Sequence, residues 1–339
     1  MTGFFNFKKT SHRYALNVFV AVGLYAIIMT LINQRVINRY QAQMLIPIGF
    51  NIILAVSLNL TAGFLGQLPL GHAGFMAVGA YTAALFTIAV NYLPPNVRLP
   101  LGIVAGGLTS AVFGVVIGLP ALRLKGDYLA IITLGFGEII RVIILNLKFT
   151  GGAFGLRGMG RITNVTITYI FVLITLLVIG TLIKSRHGRA ILSIREDEIA
   201  AEASGIPTTY YKVLAFAVSA GFAGVAGGLY AHFLGILDAN TFGFMRSAEI
   251  LVIVVLGGLG SIFGSVLSAT ILTVLPEILR GFAEYRMVLY SLVLVLVMIF
   301  KPSGLCGRYD FSLGGELDNL FAMARAKLLK GGRANDGGT

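Results

Sequence analysis

Glu138 and Arg141 stand three residues apart within the apolar run 127–147, so on a helix they share one face and can neutralise each other. An ionisable group in hydrocarbon is costly and normally meets a partner or a water-filled path. The pair therefore reads either as an ion pair pinning two helices together or as a polar station on a solute path. A second loaded stretch is Gly63-Phe-Leu-Gly66-Gln67-Leu-Pro69-Leu-Gly71-His72-Ala-Gly74. Its glycines and proline interrupt an apolar run, and irregular backbone at membrane depth is tolerated only against protein or a cavity. The whole broken segment, with Gly66, Gln67, Gly71, His72 and Gly74, is the candidate path element, whereas His72 alone reads as a satisfied hydrogen-bonding group. A third break, around Gly257, Gly258, Gly260 and Gly264, misses dinucleotide spacing and sits in an apolar segment without a strand-turn-helix context. Gly258 and Gly260 are accordingly placed with the path, not with a cofactor.

No catalytic constellation accompanies these residues. The sequence has no Gly-x-x-x-x-Gly-Lys-Ser/Thr run, so any nucleotide must bind another chain. No Ser/His/Asp set or carboxylate pair has catalytic spacing. His12, His72, His187 and His232 are scattered without Cys or carboxylate partners at ligand spacing, and no metal site is expected. Cys306 is the single cysteine, which excludes an internal disulfide.

The one long charged insertion in the middle and C-terminal chain is 193–207, Ser-Ile-Arg-Glu-Asp-Glu-Ile-Ala-Ala-Glu-Ala-Ser-Gly-Ile-Pro. Ser193 is placed to cap a helix into which Glu196 reaches back, and Glu196, Asp197 and Glu198 put negative charge at the positive end of its dipole. Ala200, Ala201 and Ala203 propagate it. Gly205 is placed for a left-handed cap, with Pro207 beyond. A helix of about three turns, flanked by Lys184, Arg186, Arg189 and Lys212, lies outside the bilayer. It is either a solvated surface helix or a docking element, with Ser193, Arg195, Glu196, Asp197, Glu198, Ala200, Ala201, Ala203 and Gly205 as its candidate residues.

The elements that must position these groups are membrane helices. Hydrophobic residues make up 57% of the 339, and charged residues only 12%, far outside the range of a soluble domain. The 43 glycines follow no collagen period and point to close helix packing and broken helices. The net charge of +12 lies in basic residues beside apolar spans, where they fix orientation, so nucleic acid is not an expected partner. Apolar runs are read at 14–32, 45–62, 74–90, 99–119, 127–147, 165–183 and 211–236. The first is too long for a signal peptide and lacks a small-residue cleavage site. Region 247–279 is too long for one span and short for two, and a last span is read at 287–300.

Counting 247–279 as two short crossings hinged at the glycines gives ten spans with both termini inside. Sixteen Lys/Arg then lie inside against nine outside, as the positive-inside rule requires. The outside stretch 148–164, with Lys148, Arg157 and Arg161, fits this topology least well. The expected fold is an all-α polytopic membrane protein of about ten helices in two five-helix halves. An odd number per half inverts the second relative to the first, an arrangement that builds a site opening to either face. Residues 1–305 form the membrane domain, and 306–339 a cytoplasmic tail expected to be disordered. In the seventh run, Ser219, Ala220, Ala223, Gly224, Ala226, Gly227 and Gly228 predict close helix packing.

Several stretches together resemble the LivM-type permeases of branched-chain amino acid ABC importers. They are Asn51 through Phe75 with Gly79-Ala-Tyr-Thr82, Gly126 through Arg141 with Thr150-Gly-Gly152, and Arg195-Glu-Asp-Glu-x-Ala-Ala-x-Ala-x-Gly205-Ile. The last resembles the cytoplasmic loop that seats a coupling helix in a groove of a separate ATPase. The related urea permeases share much of the pattern. The resemblance implies a multi-pass protein of a bacterial or archaeal cell membrane, a second LivH-type permease beside it and two ATPase subunits that hold ATP and Mg. It further implies an extracytoplasmic binding protein delivering leucine, isoleucine or valine, with no cofactor on this chain. Its rivals are a self-sufficient channel or secondary transporter, which would pass solute without nucleotide, and a membrane scaffold.

Overall fold

The computed structural model describes residues 38–279 apart from Lys125, with scattered positions between 22 and 34 and between 288 and 307. Residues 40–309 form one compact unit, and 1–39 with 310–339 another. In the second of these, the described residues are helical over 25–32. The expected spans at 14–32 and 287–300 fall largely outside the described residues, as does the expected tail at 306–339 beyond Gly307.

The first unit is helical throughout. Helix α1 runs Arg39–Asn59 and closes in a π turn, Leu60–Phe64, after which the chain is irregular to Gly71. Helix α2 is His72–Ala89, and α3, Pro95–Ala121, begins with proline where its missing N–H costs nothing. Helices α4, Asp127–Asn146, and α5, Val165–Lys184, follow. Helices α6, Arg186–Glu196, and α7, Glu198–Ala203, make the charged insertion, and α8 is Thr208–Leu234. Region 247–279 is indeed two helices, α9, Phe244–Gly257, and α10, Ile262–Ile278. Six helices among the described residues are long and apolar enough to cross a membrane: α1 with its π turn, α2, α3, α4, α5 and α8. At 1.5 Å per residue α9 and α10 reach only about 21 and 26 Å, short of a hydrocarbon core of about 30 Å.

The core is built where side chains vanish. A Cβ on Gly79 would meet the Gly224 backbone, one on Gly106 the Gly79 carbonyl, and one on Gly227 the Met76 carbonyl. Helices α2, α3 and α8 therefore touch backbone to backbone, as the small residues of α8 predict. Ala220, Ala223 and Ala226 are buried there. The hairpin of α9 and α10 closes the same way: Gly257 and Gly264 abut, and Ser268 Oγ donates to Ile253 O at 2.6 Å. Helices α3, α4 and α5 keep large exposed apolar residues, Leu108, Val112, Val116, Ile131, Ile139 and Leu177 among them, in keeping with faces turned to lipid.

The charged insertion departs from its expected form. Ser193 is not a cap: it lies inside α6 and its hydroxyl donates to Ala190 O at 2.8 Å. The break comes four residues later, at Asp197, whose extended backbone separates α6 from α7 and whose carboxylate accepts from the amides of Ile199 (2.8 Å) and Ala200 (3.0 Å). The single three-turn helix is thus two helices, and Glu196 ends the first instead of reaching back to a cap. Both Ser and Asp can cap. Here the apolar residues Ile191 and Ile194, buried in α6, carry the helix through Ser193 and leave Asp197 the first position free to turn. The other end is as expected: Gly205 adopts φ +81°, and the Ile206 amide returns to Ala201 O at 3.1 Å.

Candidate functional site

The helix breaks at 60–71 and 258–261 meet at one end of the bundle, and the charged insertion reaches the same place. Asn59, the last residue of α1, is fully buried and uses all of its amide. Nδ2 donates to Ser261 O at 2.9 Å and to Ser265 Oγ at 2.7 Å, while Oδ1 accepts from the Gly260 amide at 2.8 Å. From the insertion, Arg195 Nη1 donates to Gly63 O at 2.8 Å, a carbonyl of the π turn. The Arg195 stem lies on Gly66, where a Cβ would stand 3.6 Å from its own Cβ, and Nη1 lies beside Gly260. Gly66, at φ +76°, and Gly260, at φ +88°, accept this backbone without the strain a side chain would impose. The far side of the 258–261 hinge is tied as well, since Leu305 N donates to Leu256 O at 2.7 Å and Cys306 N to Gly257 O at 3.3 Å.

Helix α7 is fastened from behind and open in front. Ala201 is buried, and Glu198 pairs at 2.7 Å with Lys212 of α8, whose side chain is 4% exposed. Ile199, Ala200, Glu202 and Ala203 face outward, with Ile199 75% exposed. Glu196 is exposed and lies 3.5 Å from Arg195. A short, anchored helix with an exposed isoleucine and two alanines offers a small apolar surface ringed by charge.

The remaining expected residues form two separate groups. Gly71 and Gly74 let α2 lie against α4, where their absent side chains would strike Thr133 O and Gly137 Cα. The amide of Leu70 donates to Thr133 Oγ1 at 3.0 Å. His72 is buried, with Nε2 3.0 Å from Ser57 Oγ, and Ser57 O accepts from Ser219 Oγ at 2.6 Å. His72 thus stitches α1 to α2, as a lone apolar-face histidine should. The backbone N–H of Gln67 donates to Thr61 O at 2.9 Å, while its side-chain Oε1 is buried without a partner.

Glu138 and Arg141 pair at 2.7 Å and reach beyond each other. Glu138 Oε1 accepts from Phe244 N at 3.0 Å, at the positive end of the α9 dipole, and Arg141 Nη1 donates to Asn240 Oδ1 at 3.0 Å. These contacts pin α4 to the start of α9. Sequence reading passed over Asn59, Ser261, Ser265 and Ile199. An amide in the apolar run 45–62 was the available signal for Asn59, because such a group must find partners.

Residues 40–300 match the family model described as the permease component of branched-chain amino acid transport systems. The high-affinity branched-chain amino acid transport system permease protein LivM of Salmonella typhimurium is 40% identical over 289 residues, covering 75% of this chain and 67% of that protein. Its counterpart from Escherichia coli is 39% identical with the same coverage. The permease protein LivH of Salmonella typhimurium is 36% identical over 126 residues, 37% of this chain and 41% of its own length. The chain spans about two thirds of the LivM proteins it matches. No solved structure matches it.

Proposed function

The chain belongs to the family of permease components of branched-chain amino acid transport systems, and from that premise we propose that it is the membrane half of an ATP-driven importer for leucine, isoleucine and valine. In this reading it sits in a bacterial or archaeal cell membrane as ten spans in two inverted halves, with both termini cytoplasmic. A LivH-type permease stands beside it. Two ATPase subunits, which hold the ATP and Mg, lie beneath α7, and an extracytoplasmic binding protein delivers the solute. A zwitterion cannot cross hydrocarbon unaided, so the two permeases must offer a polar path and open it to one side at a time. Gly66, Gln67, Gly71, His72, Gly74, Glu138, Arg141, Gly258 and Gly260 are the proposed borders of that path on this chain.

The observation that carries the reading is α7. It is capped by Asp197, paired with Lys212 and ended by Gly205, yet presents Ile199, Ala200 and Ala203 outward. An apolar tip on a fixed, charged loop is suited to a groove on another protein. The test is co-purification of the ATPase subunits with the permease pair. The Ile199→Glu, Ala200→Glu variant should insert and fold but lose the ATPases and ATP-dependent leucine uptake in proteoliposomes. Retained ATPase binding would overturn the docking role, and uptake by this chain alone without nucleotide would instead establish a self-sufficient carrier.

A further inference from the structure

The exposed side of α7 explains how an ATPase could hold this chain, but not how a push there would reach the helix breaks at 60–71 and 258–261. We infer that Arg195 is the link, joining the coupling segment to both helix breaks so that the three move as one body. The inference rests on the proposed coupling role of α7 and goes beyond it by naming the route.

Three observations carry it. Arg195 is the penultimate residue of α6, two positions before the Asp197 turn that joins α6 to α7. Its guanidinium donates to the Gly63 carbonyl while its stem covers Gly66, both within the first break, and Nη1 lies 3.2 Å from where a Gly260 Cβ would stand, beside the second. Asn59 then binds Gly260 N and Ser261 O of the second break and Ser265 Oγ of α10 directly, so the two breaks cannot part without stranding its buried amide. The hydrogen bond from a cation to a neutral carbonyl is directional and short, and the Arg195 side chain is only 17% exposed, so water does not replace it freely. Were Arg195 only a filler for one carbonyl, it would need no contact with Gly66 and Gly260.

The test exploits the geometry of Gly66, whose ideal Cβ stands 3.6 Å from that of Arg195, within disulfide range. In a Cys306→Ser background, the Gly66→Cys, Arg195→Cys double variant is assembled with the partner permease, ATPases and binding protein. Leucine uptake per ATP hydrolysed is then measured before and after oxidation. Gly66→Cys alone sets the reference, because at φ +76° its Cβ would press Arg195 Cγ at 2.9 Å in either redox state, and it should be unchanged by oxidation. Reduced, the double variant lacks the link and should transport about tenfold less per ATP than that reference, a coupling loss of ordinary allosteric size. Oxidised, it regains a covalent link in the same place and should recover most of the uptake. A reduced double variant coupled like the reference, or an oxidised one that stays uncoupled, overturns the inference. Should the double variant fail to assemble, Arg195→Gln against Arg195→Lys decides it: Lys keeps one charged donor and should couple better than Gln, and equal values overturn the link. None of these outcomes touches α7 docking, which the co-purification of Ile199→Glu, Ala200→Glu reads separately.

Discussion

Two regions of this chain hold helices together by opposite means. Where α2, α3 and α8 cross, glycines at 79, 106, 224 and 227 bring backbones into direct contact, and the polar contacts of Ser110 Oγ with Phe75 O (2.9 Å) and Thr87 Oγ1 with His232 Nε2 (2.8 Å) are fitted into that packing. Where the two breaks meet, Asn59 bonds Gly260 N, Ser261 O and Ser265 Oγ, and Arg195 bonds Gly63 O, through directed hydrogen bonds. The first interface is governed by volume and the second by the number of polar groups satisfied. Dispersion contacts change gradually as surfaces slide, whereas a buried hydrogen bond is either made or lost. The difference teaches that one region answers to added volume and the other to the loss of a polar partner.

The comparison breaks most severely at the glycine interface. Gly79→Leu places a side chain against the Gly224 backbone, which cannot yield, and should destabilise the protein by about 3 kcal/mol or more. Thermal unfolding in detergent reads this. Gly135→Leu, on α4 with nothing within 4 Å of its Cβ position, should leave the midpoint nearly unchanged, and an equal loss at both would refute the volume argument.

Next comes Asn59→Leu, which keeps the volume but strands the Gly260 amide, while Ser261 O and Ser265 Oγ keep each other at 3.0 Å. One unsatisfied buried group costs about 1–3 kcal/mol, so a loss within that range is expected, with faster hydrogen exchange at 258–265. A neutral result would mean that the breaks are held by packing after all. The smallest effect sharpens the capping assignment. Asp197→Ala should cost about 1 kcal/mol and speed exchange at Ile199 and Ala200, while Ser193→Ala should do neither. The reverse order would restore Ser193 as the cap.

Much of the architecture was legible in the chain. Hydropathy located α1 to α5 and α8 within a few residues, because only uninterrupted apolar helices satisfy their backbone in hydrocarbon. The glycines at 257–264 announced two helices in place of one. Glu138 and Arg141 were identified as a pair, but their attachment to Phe244 and Asn240 joins residues about a hundred positions apart, which no spacing rule reaches. Ser193 misled because two capping residues four positions apart competed for one helix start, and local propensity carries no information on which of the two the bundle will leave free to turn.

The sequence by itself determined that this chain is a helical membrane protein, where its helices fail, and which family it belongs to, since hydropathy, glycine spacing and short motifs are local properties. Only the tertiary structure decided that two failures 200 residues apart meet, that Asn59 spends its whole amide joining them, and that Arg195 reaches both. Those facts depend on which buried polar groups lie opposite one another, and that is fixed by packing, not by distance along the chain.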